Sequence, residues 1–202
     1  MKYSLFFLCL LGSLWKPTSM MAQSKQAFPI SISLLDESPN LPTFGFVRYP
    51  LHPALRIGTE YLLQQRKSSD WHLAPSIGFW YHPDNEVGLF AQAEFGYRYR
   101  LKRWFVAPRI GLGYAHRIGL TPSYVQNGDQ WVEATALGEP NLMISGTVNL
   151  GFQLQDRVAS PELFLSMSQS FHVPFSFYTG YHQFVGLGVQ FYPFSTASAS
   201  KP

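Results

Sequence analysis

The chain has 202 residues, of which 46% are apolar and 16% aromatic against only 13% charged. So greasy and charge-poor a composition excludes a disordered chain. With 15 basic and 12 acidic residues, the positive excess is too small for a nucleic-acid binder.

The first 22 residues read as a secretory signal peptide. Lys2 opens a short basic start, Leu5 to Leu14 is an apolar run too short to span a bilayer, and cleavage is expected after Ala22. Removing Lys2 and Lys16 leaves 13 basic and 12 acidic side chains. The single cysteine, Cys9, leaves with the signal, because Leu8 stands where a lipidation signal carries a small residue. The mature chain then has no disulfide, thiolate metal site or cysteine nucleophile. Residues 23–40 are expected to form a periplasmic lead or a plug. Pro29-Ile-Ser-Ile-Ser-Leu34 alternates, but a ninth strand would break the even count usual for single-chain bacterial barrels.

From residue 41 onward the pattern has period two. Eight strands are expected: Leu41–Tyr49, Ala54–Gln65, Trp71–His82, Glu86–Arg100, Arg103–Arg117, Asn141–Leu154, Pro161–His172 and His182–Phe194. Prolines mark the junctions at Pro50, Pro53, Pro83, Pro122, Pro140 and Pro174. No stretch after the signal reaches the length of a transmembrane helix.

Which face meets water is decided by composition. The fourth segment sets Val87, Leu89, Phe95 and Tyr97 against Gly88, Gln92, Glu94 and Arg98, and the sixth sets Leu142, Ile144 and Val148 against Ser145, Thr147 and Asn149. A soluble sandwich would carry Lys, Glu and Thr on its wet face. Here the polar face is Gly, Ser, Gln and isolated Arg or Glu, which suits the crowded inside of a narrow barrel. Lys25, Lys67, Lys102 and Lys201 all fall in turns or tails, away from mid-strand positions where lipid makes a cation costly. Trp71, Tyr81, Tyr97, Trp104, Tyr114 and Phe171 collect near strand ends, as interfacial girdles do. From a periplasmic start, the short connections 66–70, 101–102 and 155–160 fall on the inner side and the long ones, 118–140 and 173–181, on the outer side. The expected fold is therefore an all-β, eight-stranded antiparallel outer-membrane barrel over 41–194, with a tail over 195–202.

With its signal followed by segments such as Glu94-Phe-Gly-Tyr-Arg-Tyr-Arg100, Ala107-Pro-Arg-Ile-Gly-Leu-Gly-Tyr114 and Val185-Gly-Leu-Gly-Val-Gln-Phe191, the chain resembles the small eight-stranded outer-membrane barrels. More particularly it is similar to uncharacterised outer-membrane β-barrel proteins of Bacteroidetes. The resemblance covers about 41–194 and implies a fold rather than an activity. It departs at the end, since such barrels often finish on an aromatic residue, whereas Ser195 to Pro202 follow Phe194.

Strand parity sends Arg56, Glu60, Glu94, Arg98, Arg109 and Glu162 inward, where they are expected to pair with one another and with Gln92, Asn149 and Gln153. Five of the six histidines, His52, His82, His116, His172 and His182, fall at the outer end, and His72 near the inner one. By parity His82, His172 and His182 converge at the mouth. Neutral imidazoles there can ligate a divalent metal or bind an anion, but the spacing matches no ligand motif and an interfacial belt is the preferred reading, so neither metal nor cofactor is assigned.

Barrels of this size include lipid A deacylases and acyltransferases. Ser168, Ser170, His172 and Glu162 share one parity of the seventh strand, but the deacylase order His-x-Ser followed by Asn is reversed here as Ser170-Phe171-His172 followed by Val173. No catalytic residues are assigned, and a lipid A hydrolase stands as the alternative. The outer loops carry Tyr124, Asp129, Trp131 and Glu133, and further on Phe175, Phe177, Tyr178 and Tyr181. Aromatics at that density suit a contact with lipopolysaccharide or another envelope protein, or a lid over the mouth. The expected function is a non-enzymatic structural or interaction component of the cell envelope, an accessory subunit of a larger outer-membrane complex, with Tyr124, Trp131, Phe175, Phe177 and Tyr178 as its binding surface.

Overall fold

The computed structural model describes residues 28–38, 51–83, 85–122, 124–133, 138–155, 160–174 and 180–193. The expected signal peptide, the strand Leu41–Tyr49 and the carboxy-terminal tail lie outside them. Eleven strands are present among the described residues: β1 (Ile30–Ser38), β2 (Pro53–Thr59), β3 (Tyr61–Gln65), β4 (Ser69–His82), β5 (Glu86–Leu101), β6 (Trp104–Gly119), β7 (Tyr124–Asn127), β8 (Gln130–Glu133), β9 (Glu139–Gln153), β10 (Glu162–Pro174) and β11 (Gly180–Phe191). β2 pairs with β1 and β4, and β3 continues β2 along β4 with a register shift between Leu62 and Gln64. These two are halves of one bent strand, so the closed antiparallel barrel has eight walls. β7 and β8 form a separate hairpin within the long connection 120–138, which the sequence pattern had left as a plain loop.

The first wall is a correction. Ile30–Ser38 was expected as lead or plug, yet it pairs with β11 from Ile30↔Phe191 to Ser38↔Gln183 and with β2 from Ile30↔Thr59 to Asp36↔Pro53. The cause is the alternation itself. Ile30, Ile32 and Leu34 face outward while Ser31, Ser33, Leu35 and Glu37 face inward, as on every other wall. β1 bonds directly to β2, so the even count of described walls includes it. The barrel thus runs from Ile30 to Phe191.

Polarity is inside out. Leu34, Ile110 and Leu187 are 70%, 66% and 69% exposed, while Glu94 and Arg98 are 1% and 2% exposed. Among the described strand residues the charge of outward parity is Asp36, at the rim, where it accepts the His52 backbone N–H at 2.8 Å. Aromatic pairs ring the wall near its ends: Trp71 with Phe95 and Tyr97, Trp104 with Phe152, and Phe171 with Tyr181. Inside, an apolar layer of Leu35, Trp80, Phe90, Met143 and Phe184 lies toward the outer end, and Phe105 with Phe164 toward the inner end.

Glycine is demanded where inner walls approach each other. A Cβ on Gly186 would overlap the Leu34 backbone carbonyl at the seam between β1 and β11, and one on Gly88 would overlap the Trp80 ring. Gly186→Val is therefore expected to abolish refolding in detergent micelles, read from the mobility of unboiled protein on a gel. Gly146→Ala, on the lipid face with nothing within 4 Å of the added carbon, should refold like the unmodified chain.

Candidate functional site

The middle of the lumen is an ion-pair ladder built from inward positions of the β2/β3 wall, β5, β6, β9, β10 and β11. Glu60 sits at the break between β2 and β3 and keeps the inward parity of Ala54 and Arg56. It accepts Arg98 Nη2 at 2.7 and 2.6 Å, Arg109 Nη2, and Gln190 Nε2 at 3.3 Å. Arg109 also approaches Glu94 at 3.9 Å, and Arg98 approaches Glu162 at 3.5 Å while lying over the Phe105 ring at 4.8 Å. Glu94 accepts from Thr147 Oγ1 at 2.6 Å, and Arg56 donates to Ser166 Oγ at 2.6 Å. The three carboxylates and three guanidiniums of the sequence-derived set are thus drawn into one neutral stack. Gln190 joins it; Gln92 Oε1 and Asn149 Oδ1 accept no hydrogen bond from the described residues. A cavity of about 10 Å³ beside Ser33, Arg56, Glu94 and Asn149 has room for roughly one water. Nearer the inner end, Asp70 holds Arg100 and lies 3.2 Å from His72 Nδ1.

The outer end is a second cluster, and here sequence reasoning missed half of the members. His172 and His182 stack with ring centroids 4.4 Å apart, both against Trp80. His182 Nδ1 donates to Glu37 Oε1 at 2.7 Å. His82 Nδ1 lies 3.4 Å from Glu37 Oε2, and His52 stacks on His82 at 3.7 Å. Glu86 takes Arg117 Nε at 2.8 Å and Trp80 Nε1 at 3.0 Å. His116 faces outward beside the Tyr114 hydroxyl, 2.9 Å away. Glu37 was missed because its segment was read as a lead; the parity of Ser31, Ser33, Leu35 and Glu37 was the available signal. His52 lies in a connection, where period two says nothing.

Ser170 Oγ and His172 Nε2 are 3.1 Å apart. Both side chains face the lumen and are fully buried, and His172 Nδ1 has no hydrogen-bond partner among the described residues. Glu162 lies eight positions from Ser170 on the same strand, roughly 26 Å along it. Of the outer-loop aromatics, Tyr124 and Trp131 are exposed, and the register Tyr124↔Glu133 and Gln126↔Trp131 puts both on one face of the β7–β8 hairpin. Tyr181 packs on Phe171. Phe175, Phe177 and Tyr178 lie outside the described residues.

A closed barrel with lipid-facing leucines, aromatic girdles and a charged, filled lumen is an integral outer-membrane protein of the eight-stranded class. Solved structures carry the same fold. Neisserial surface protein A (NspA) matches with a TM-score of 0.51 at 10% identity, over 83% of this chain and 97% of that one. The outer membrane enzyme PagL matches with a TM-score of 0.49 at 11% identity, over 81% and 98%. The N-terminal β-barrel domain of Pseudomonas aeruginosa OprF matches with a TM-score of 0.43 at 15% identity, over 81% and 96%. No protein-family model matches the sequence, and no curated protein matches it. Identities this low show the fold alone.

Removing one member of the ladder leaves buried charge behind. Glu60→Gln is expected to destabilise the barrel by about 3–5 kcal/mol, the usual cost of breaking a buried ion pair, measured by urea unfolding in lipid vesicles. Adding Arg109→Met to Glu60→Gln should recover part of that loss; a further loss instead would mean that the ladder is not a charge-balanced unit.

Proposed function

We propose that this barrel is a non-enzymatic structural and interaction component of the outer membrane, an accessory subunit of a larger envelope complex that meets its partner through the outer end. The observation that carries this reading is the filled lumen. Ladder and apolar layers occupy it from end to end, and the exposed pair Tyr124 and Trp131 stands on a hairpin beyond the wall. Rigid aromatic side chains on such a face supply contact area at low entropic cost. From the sequence, Phe175, Phe177 and Tyr178, outside the described residues, and the lipopolysaccharide headgroups are further candidates for this contact. The narrower kinship with Bacteroidetes barrels, carried by the Glu94–Arg100 and Ala107–Tyr114 segments, belongs to this reading.

A lipid A hydrolase is the rival, and the 3.1 Å approach of Ser170 to His172 is what favours it. Against it, a serine nucleophile needs a base oriented by a third group and a path for the acyl chain. His172 has no carboxylate at Nδ1 among the described residues, and Ser170 is walled off inside the barrel.

Affinity capture from native outer membranes tests the proposal. A partner held by the unmodified barrel should be lost from Tyr124→Ser/Trp131→Ser, with unboiled gel mobility unchanged; a barrel that is always recovered alone overturns it. Ser170→Ala and His172→Ala should each leave the lipid A profile of cells unaltered, and planar-bilayer recordings should show no steady conductance.

A further inference from the structure

Glu37 is a buried carboxylate, 1% exposed, that has no Lys or Arg ion-pair partner among the described residues. The nearby guanidinium of Arg117 is committed to Glu86. What surrounds Glu37 instead is imidazole. His182 Nδ1 occupies its Oε1 at 2.7 Å, whereas Oε2 accepts no hydrogen bond from the described residues and faces His82 Nδ1 at 3.4 Å. His52, just ahead of β2, lies with its Nδ1 3.0 Å from the Glu37 carbonyl oxygen. A carbonyl only accepts, so that nitrogen carries the proton and Nε2 keeps a lone pair. One ligand atom each from Glu37, His52 and His82 lie within 4.8 Å of one another.

We infer that Glu37, His52 and His82 form a binding site for one divalent transition-metal ion, Zn²⁺ foremost, at the outer mouth of the barrel. Two imidazoles and a carboxylate are a donor set that zinc takes, with a fourth position left for water. Two nitrogen donors argue against Ca²⁺ and Mg²⁺, which want oxygen. Tetrahedral ligands at about 2.1 Å from an ion stand roughly 3.4 Å apart; the three atoms lie within 4.8 Å of one another and the His52 and His82 rings are stacked, so binding draws the atoms together and turns the two rings out of their stack. The outer-shell bonds a metal site requires are already made: His52 Nδ1–H on the Glu37 carbonyl oxygen, and His182 Nδ1–H on Glu37 Oε1. The ion would also supply the positive charge that Glu37 lacks. His52 and His82 are only partly buried, so the site opens toward the mouth. A bound ion there ties β1, the entry to β2 and the end of β4, three adjacent walls.

The test uses the tag-free mature barrel refolded in detergent and Zn²⁺ alone, titrated against a chromophoric chelator. One equivalent is expected to bind. Glu37→Gln, His52→Ala and His82→Ala should each weaken it by more than the 10–100-fold that loss of an outer-shell partner costs, and His182→Gln by about 10–100-fold. His116→Ala, outward-facing at the same end, should bind as the unmodified barrel does. Affinity unchanged in both His52→Ala and His82→Ala, or no Zn²⁺ equivalent on the unmodified protein, overturns the site. Should either alanine variant fail to refold, the Asn variant at that position is scored in its place. Electron paramagnetic resonance of the Cu²⁺-loaded unmodified barrel gives an independent reading: two coordinated imidazole nitrogens are expected, and none or one overturns the set.

Discussion

A sheet in hydrocarbon cannot keep an edge, because each unpaired N–H or C=O costs several kcal/mol where no water can reach it. Every other feature of this molecule follows from the seam at which that edge is removed. β1 lies between β11 and β2 and bonds to both, so the strand nearest the amino terminus completes a sheet whose other walls are joined largely in sequence. The seam is tight: Leu34 and Leu35 press so close to Gly186 that a side chain there has no room. Closure with eight walls also fixes the width, and a barrel that narrow has an interior only wide enough for side chains.

A narrow lumen that must be filled, in a wall whose apolar positions are spent on lipid, is filled by the remaining parity. That parity carries Gly, Ser and charged residues, so the interior has to be solved as an electrostatic problem rather than as an oily core. Arg56, Arg98 and Arg109 against Glu60, Glu94 and Glu162 solve it by neutrality. Glu60 holds two guanidiniums at once. Glu60 reaches them by continuing the inward parity of Ala54 and Arg56 past the end of β2. The apolar layer around Trp80 and Phe184 then separates this neutral stack from the outer-end cluster.

Much of this was legible in the sequence, for one physical reason. A membrane strand has two solvents, lipid and lumen, and period two sorts side chains between them. Wherever that sorting is strong, as from Glu86 to Arg117, both strand and facing were readable, and with them the inward ladder residues. It failed where another consideration outweighed it. Ile30–Ser38 shows the same alternation, but counting eight later segments left no place for it, and Leu41–Tyr49 was taken as the first wall instead. The break at Glu60 was invisible because a bulge is a property of two strands in register, and only one strand is in the pattern. His52 and the β7–β8 hairpin lie in connections, where position is set by the ends of distant walls rather than by local periodicity.

The two polar clusters differ in a way that sets their roles apart. In the ladder each carboxylate meets an arginine, which stays charged under any condition the membrane meets, so its cations are fixed. Among the described residues the fixed cation beside the outer-end cluster is Arg117, which Glu86 consumes. Glu37 is left to imidazoles, groups that can be neutral, protonated or bound to a metal. A buried charge whose partner is conditional is a costly way to fill space, and simple packing would favour an apolar residue of similar size at that height. Its position at the mouth, beside two partly exposed histidines and under the first outer connection, is where a conditional partner can arrive from outside.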